Sequence, residues 1–335
     1  MSAGKDRPVY HGGDLAAASV RFGVPADGWV DLSTGINPWP YPASIDPAHL
    51  ARLPDGAQLA ALADAAAGAY GMASADGIAA APGTQALIQM LPRLRPPGRV
   101  AVVSPTYGEH APAWRQAGHD VGEIASLDEA GDADVVVVTR PNNPDGAVAA
   151  AEELRALAAR LASRGGELIL DEAFADTWDA PSLAAGSPGI VALRSFGKFY
   201  GLPGLRLGFA LCSPAQAGEI RTALGPWAVS TTAAEIGRAA LADRAWQATT
   251  RARLDAAAAR LDAVLGDAGL AVAGGTSLFR LALCDDAQAL FEALGRAGIF
   301  VRHFPGHTGR LRVGLPPDDA AFARLDAALR QARGG

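Results

Sequence analysis

The sequence predicts an α/β fold, and three observations predict it. Short runs rich in valine, isoleucine and leucine recur along the first two thirds of the chain, of the apolar kind buried in a parallel sheet. Alanine- and leucine-rich segments of helical length separate them, with glycine and proline at the joints, which is the pattern of strand–helix–strand units. From Pro214 onward long helical stretches give way to short strands, so a smaller α+β domain is expected after the large one.

The elements follow in order. "GAQLAALADAAAGAYG" (56–71) reads as a helix. "APGTQALIQMLPRL" then gives a Pro-Gly turn opening a second helix, with Leu87, Ile88, Met90 and Leu91 as its apolar residues. "RVAVVSP" (99–105) is a buried-type strand, followed by a helix around His110–Gln116, a strand at "DVVVVTRP" (134–141), a helix at 151–163 and a strand at "ELILDEAF" (167–174). "GIVALRSF" (189–196) and "GLRLGFALC" (204–212) read as further strands. Helical pattern then runs through 233–269. Short strands are expected at "LFRLALC", "IFVRHF" and "RLRVGL", with helices near 286–296 and 317–333. The expected division is an N-terminal segment at 1–44, a large domain at 45–220 and a C-terminal domain at 221–335.

Composition narrows the function classes. A chain of 335 residues with 50% hydrophobic and 19% charged residues is globular and can bury a large core. Its net charge of −6 argues against nucleic acid or an anionic membrane as partner. Cys212 and Cys284 are too few for a disulfide framework or a thiolate metal cluster. The opening "MSAGKDRPVYHGGD" carries no apolar core of a secretory signal, and no apolar run reaches membrane-span length. A cytoplasmic protein is expected.

In open α/β sheets ligands bind beyond the carboxyl ends of the strands. Those ends and helix starts here carry Gly83-Thr84-Gln85, Tyr107, Asn142-Asn143-Pro144, Asp171, Ser195 and Lys198. Each alone has an ordinary reading as a cap, a turn or a solvated side chain. Lys198 differs in kind. Of 29 lysines and arginines only Lys5 and Lys198 are lysine. An arginine keeps its proton in proteins, whereas a lysine amine can be made neutral and nucleophilic. Chance survival in a lysine-poor chain is the competing reading.

As an ordered set, "PGTQ", "SPTY", "RPNNPDG", "LILDEAF" and "SFGKFYGLPGLRLG" resemble the class I/II aminotransferases, pyridoxal-phosphate enzymes of the aspartate aminotransferase fold. The resemblance covers nearly the whole chain and implies a fold-type-I large domain with a mostly parallel seven-stranded sheet. It implies Lys198 as the amine that condenses with the cofactor's aldehyde and later shuttles protons, and Asp171 as the partner of the ring nitrogen. Asn143 would donate to the ring's phenolic oxygen, and Tyr107 would stack on the ring. Gly83, Thr84, Gln85, Ser195 and Arg206 would hold the phosphate. Two departures stand out. Phe174 replaces the tyrosine of "DEAY", and Leu53 replaces a tyrosine that relatives extend across the dimer interface. A homodimer is implied all the same.

The segment at 11–42, "HGGDLAAASVRFGVPADGWVDLSTGINPWPYP", and "GPWAVS" (225–230) resemble a branch of this family that decarboxylates a phosphorylated amino acid. The rival branch transaminates a different phosphorylated substrate. A small, multiply anionic substrate would then meet Arg302 and Arg312, with Arg310 as a possible substitute, together with His11, Gly35 and Asn143. Thr34–Asn37 would close over it. The pair His303 and His307 invites a metal reading, but Pro305 and Gly306 preclude a helical pair and no third ligand is evident; no metal is expected.

Overall fold

The computed structural model describes residues 11–305 and 308–334. The chain opens with helix α1 (Leu15–Phe22) and strand β1 (Val30–Leu32), then a one-turn helix α2 (Pro47–Leu50) and α3 (Gly56–Tyr70). The α/β succession follows: β2 (Ile78–Ala81), α4 (Thr84–Met90), β3 (Arg99–Val103), α5 (His110–Gln116), β4 (Asp120–Ile124), β5 (Val135–Thr139), α6 (Ala151–Ala162), β6 (Glu167–Asp171), β7 (Ile190–Ser195) and β8 (Gly208–Leu211). Helices α7 (Pro214–Leu224), α8 (Thr231–Ala242) and α9 (Arg244–Asp267) lead to β9 (Ala271–Thr276), β10 (Phe279–Leu283), α10 (Ala287–Arg296), β11 (Ile299–His303), β12 (Arg310–Gly314) and α11 (Asp319–Gly334).

Helix starts follow local chemistry. Asp55 caps α3 by accepting from the Gln58 N–H at 2.8 Å, while Gln58 Oε1 accepts from the Asp55 N–H at 3.1 Å, a reciprocal pair that satisfies two orphan donors. Gly71 ends the helix in the left-handed conformation at φ 74°.

Contacts divide the described chain into two compact units, residues 39–253 and residues 11–38 with 254–334. The larger unit therefore runs past the expected edge near 220. Its reason is Gly237: a side chain there would collide with Leu207 and Leu62, so the bare backbone lets α8 lie against α3. In this unit seven strands form one sheet in the order β2-β8-β7-β6-β5-β3-β4, with only β8 antiparallel to its neighbours. Every residue of β5, β6 and β7 is buried, which explains their near-continuous apolar runs. One face packs Leu87, Ile88, Trp114 and Ile220 from α4, α5 and α7 against Val100, Val135, Ile169 and Leu193. Leu154, Leu157, Ala158 and Leu161 form the buried stripe of α6, at the spacing of one helix face.

The smaller unit holds a five-stranded sheet in the order β1-β11-β12-β10-β9. Its last four strands pair antiparallel, and β1 joins β11 in parallel register, Asp31 opposite Phe300. Phe22 of α1 packs so closely on Gly295 that any side chain there would meet the ring, and Phe22, Trp29, Phe291 and Phe300 form an edge-to-face cluster. No helix among the described residues is long and apolar enough to cross a membrane.

Candidate active site

Within the larger unit, the residues singled out from the sequence sit at the carboxyl ends of β3, β5, β6 and β7 and at the start of α4. Asp171 ends β6 and is buried. Its Oδ1 accepts from the Ala173 N–H at 2.9 Å, and its Oδ2 lies 3.0 Å from His110 Nε2. The imidazole is itself buried and meets the Tyr107 ring edge-on with centroids 5.9 Å apart. Tyr107 donates its hydroxyl to Gln85 Oε1 at 3.1 Å, and Gln85 donates its amide to Glu109 at 3.3 Å. Hydrogen bonds thus link Glu109, Gln85 and Tyr107, and an aromatic edge contact joins Tyr107 to the His110–Asp171 pair. Asn143 lies in the turn after β5, whose preceding Asn142 shares a hydrogen bond with Thr106 at 2.8 Å.

Lys198 lies in the turn leaving β7, its ammonium 5.4 Å from the Phe174 ring centroid. The face of an aromatic ring attracts a cation, so Phe174 offers the lysine a contact although it has no hydroxyl to offer a ligand. The turn is closed by the Gly197 N–H donating to Ser195 Oγ at 3.3 Å and by the Gly201 N–H donating to the Lys198 carbonyl at 3.1 Å. Arg206 adopts a left-handed backbone, φ 53°, a conformation that costs a non-glycine residue free energy and gathers at functional sites. Its guanidinium curls over Gly83, where a Cβ would stand 2.6 Å from Nη2. Gly208 makes a matching approach, with its absent Cβ 2.6 Å from the Thr84 nitrogen. Two glycines therefore bring an arginine and the amide end of a helix to one place, a donor set suited to phosphate.

The smaller unit brings together the other group. Arg312 of β12 and Arg302 of β11 are direct cross-strand partners. Arg312 is buried and donates Nη2 to the Ser33 carbonyl at 2.9 Å. Burial first, and then the like charge of Arg302, pull its pKa below the ordinary guanidinium value, with Asp31 opposing. Ser33 accepts at Oγ from the Gly13 N–H at 2.7 Å and donates to Asp31 at 2.6 Å. The His11-Gly12-Gly13 stretch, the strap at Thr34-Gly35 and Arg312 thus meet at Ser33. Close backbone packing surrounds this strap: a side chain at Gly12 would strike the Ser33 carbonyl, and one at Gly314 the Thr34 carbonyl. Arg310 lies two residues away on β12, opposite Leu283. His303 stacks on Phe291 at 5.3 Å, and burial, Arg21 and Arg302 lower its pKa; His307 lies outside the described residues. No group of three His, Cys, Asp or Glu side chains suited to a metal occurs among the described residues.

His110, Glu109 and Ser33 contact these candidate residues, and the sequence reading passed over them. A signal existed for His110, which stands three positions after Tyr107 at the start of a helix. Ser33 carried none.

The chain matches the family model for aminotransferase class I and II over residues 45–325. It is 47% identical over 327 residues to the threonine-phosphate decarboxylase of Pseudomonas aeruginosa, spanning 96% of this chain and 97% of that one. It is 41% identical over 333 residues to the threonine-phosphate decarboxylase of a Sinorhizobium species, spanning 96% and 98%. Among solved structures, histidinol-phosphate aminotransferase from Sinorhizobium meliloti in complex with pyridoxal 5'-phosphate superposes with a TM-score of 0.78 at 23% identity, covering 95% of this chain and 94% of that one. Fold and site define a fold-type-I enzyme of the pyridoxal-phosphate kind. The chain belongs to the class I and II aminotransferase family.

The residues present fit that cofactor. A primary amine on a turn, a buried carboxylate braced by an imidazole, an aromatic ring and an arginine over a glycine-lined helix start match its aldehyde, ring nitrogen, ring face and phosphate.

Proposed function

We propose that this chain is a pyridoxal-phosphate-dependent lyase that decarboxylates L-threonine O-3-phosphate to (R)-1-amino-2-propanol O-2-phosphate, a step of cobalamin biosynthesis. Near-full-length likeness to decarboxylases of that substrate supports the reaction. The structural observation that carries it is the Arg302–Arg312 pair. Like charges directly opposite across a ladder are destabilising, and a bound dianion or carboxylate reverses that cost.

When bound, pyridoxal phosphate supplies an aldehyde that attaches amines covalently and a ring that draws electrons from a bond at the substrate's α-carbon. Lys198 holds the cofactor through its Nζ and, once carbon dioxide has left, returns a proton to Cα. Asp171, oriented by His110, keeps the ring nitrogen protonated. Thr84, Gln85, Ser195 and Arg206 fix the phosphate, with Gly83 giving room, Asn143 donates to the phenolic oxygen and to substrate, and Tyr107 covers the ring. Arg312 binds the substrate carboxylate or phosphate bidentately, Arg302 the other anion, and His11 and Gly35 border the same substrate. Held by these groups, the substrate would present the bond to its carboxylate, rather than Cα–H, as the one the bound cofactor weakens.

The partner is a second copy of this chain. Ile45, Leu50 and Leu53 are 61%, 72% and 63% exposed on the larger unit, in the stretch where relatives reach across their dimer. Cytoplasmic residence fits a chain with only two cysteines, Cys212 and Cys284. The deciding assay supplies L-threonine O-phosphate without any keto acid. Release of carbon dioxide is expected; product formation only when 2-oxoglutarate is added would instead favour the transaminating branch. Sedimentation is expected to give twice the mass of one chain.

A further inference from the structure

On the far side of β6 and β7 from the cofactor groups lies a buried ionic bridge that the reaction itself does not use. The two strands are in register from Leu168 opposite Ile190 to Asp171 opposite Leu193. There β6 leaves the sheet, and its last backbone tie is the Glu172 N–H donating to the Leu193 carbonyl at 2.9 Å. β7 runs on for two more residues with β8 alone. Just past the end of the ladder, Arg194 donates Nε to Glu172 at 2.8 Å and Nη1 to Asp176 at 2.9 Å.

The bridge is well enclosed. Arg194 is 2% exposed, Glu172 1% and Asp176 5%, so none of the three is a surface pair. Glu172 also accepts from the Leu183 N–H at 3.0 Å, the Arg194 guanidinium lies 4.9 Å from the Tyr70 ring centroid, and Arg251 donates to the Asp176 carbonyl at 3.1 Å. Side chains alternate faces along a strand, so Asp171 and Ser195 face one way, and Glu172 and Arg194 the other. The bridged residues are the chain neighbours of Asp171 and Ser195, and Arg194 stands four positions before Lys198.

Buried ion pairs are poor sources of stability, because desolvation offsets their attraction and apolar packing would serve as well. What the fork does supply is fixed geometry. A cavity of about 260 Å³, lined by Tyr70, Asp176, Arg194, Tyr200 and Arg251 among others, adjoins the bridge. The Tyr70 hydroxyl and Asp176 Oδ2, which adjoin this cavity, find no protein partner among the described residues.

We infer that Arg194, through its fork to Glu172 and Asp176, is a positioning residue that holds Asp171 and Lys198 at their working separation where the β6–β7 ladder ends. This rests on the assignment of those two residues to the cofactor. A displacement of about 1 Å at a reacting group can cost on the order of a hundredfold in rate, so a side-chain clamp at this point matters more to turnover than to folding.

The test compares wild type, Glu172→Gln, Arg194→Lys and Asp176→Asn, each loaded with pyridoxal phosphate, with Leu161→Ala as a control that lowers stability away from the site. Glu172→Gln and Arg194→Lys are expected to lower kcat about tenfold with KM within about twofold. They are also expected to move the pH midpoint of the bound cofactor's visible absorbance by about half a unit or more. Leu161→Ala should lower Tm and leave both unchanged. Wild-type kcat and midpoint in folded, loaded Glu172→Gln or Arg194→Lys overturns the proposal. If those two variants do not fold, Asp176→Asn decides: a smaller shift in midpoint supports the clamp and an unchanged midpoint overturns it.

Failure of wild type to take up the cofactor overturns the site assignment instead. The positional claim then still answers to acetic anhydride labelling of cofactor-free protein, which reads Lys198 against Lys5, the chain's other lysine. The Lys198-to-Lys5 ratio should change in Glu172→Gln, and an unchanged ratio counts against the clamp.

Discussion

The two functional groups of this molecule treat charge in opposite ways. In the larger unit buried charges meet opposite charges from the chain itself: His110 beside Asp171, and Arg194 between Glu172 and Asp176. In the smaller unit two guanidiniums stand opposite each other across β11 and β12, and burial and mutual repulsion weaken the hold of Arg312 on its proton. Internal pairing marks scaffold, where geometry must survive every turnover. The opposed guanidiniums of Arg302 and Arg312 are where the proposed substrate anion would bind.

The largest effect that could break this contrast is at the amine. Lys198→Ala should lower turnover by about a thousandfold or more and abolish borohydride fixation of the cofactor aldehyde; retained fixation at another position would remove the larger unit's claim. Next, Arg312→Gln should reduce kcat/KM for threonine phosphate about a hundredfold, the loss of a bidentate charge-assisted contact, while cofactor affinity stays level. Inorganic phosphate should raise the Tm of wild type and not of this variant. If Arg312→Gln weakens cofactor binding as strongly as substrate binding, the two groups are not separate in function. His110→Phe should lower kcat about tenfold with KM little changed, since it loosens the Asp171 carboxylate while leaving anion binding alone.

The smallest effect concerns Cys212, a scaffold thiol that burial pushes up to about 12. Unfolded chain releases that proton near 9, the ordinary thiol value. Between those values the native state binds more protons than the unfolded one, so this residue makes stability fall as pH rises from about 9 to about 12. Cys212→Ala should flatten that part of the stability curve, and at neutral pH iodoacetamide should leave native Cys212 unmodified.

What could be read in advance follows the same division. Strands β3, β5, β6, β7 and β8 were legible because central strands covered on both faces must be written in continuous apolar residues. Strand β2, "IAAA", has a single β-branched side chain, and β4, "DVGEI", is a half-exposed edge, so neither carries that signature. The three residues of β1 pair with a strand more than 260 positions away, and no local pattern reports such a partner. The candidate cofactor groups could be picked out because each is the residue type its chemistry would require at a strand end or helix start. His110 and the Arg194 bridge were not, since a supporting side chain is recognised by what it touches rather than by what it is. At Ser33 the decisive atoms are a hydroxyl and a carbonyl, which almost any loop provides.

The pairing of β1 with β11 has a consequence for how the protein is made. Residues 39–253 form a continuous stretch and can acquire their sheet while the ribosome is still working, as units of structure generally do when they emerge in sequence. The five-stranded sheet draws its edge from residues 30–32 and its centre from residues 299–314. Its first strand must therefore wait through the synthesis of the whole central unit, exposed and without a neighbour, until the last tenth of the chain arrives.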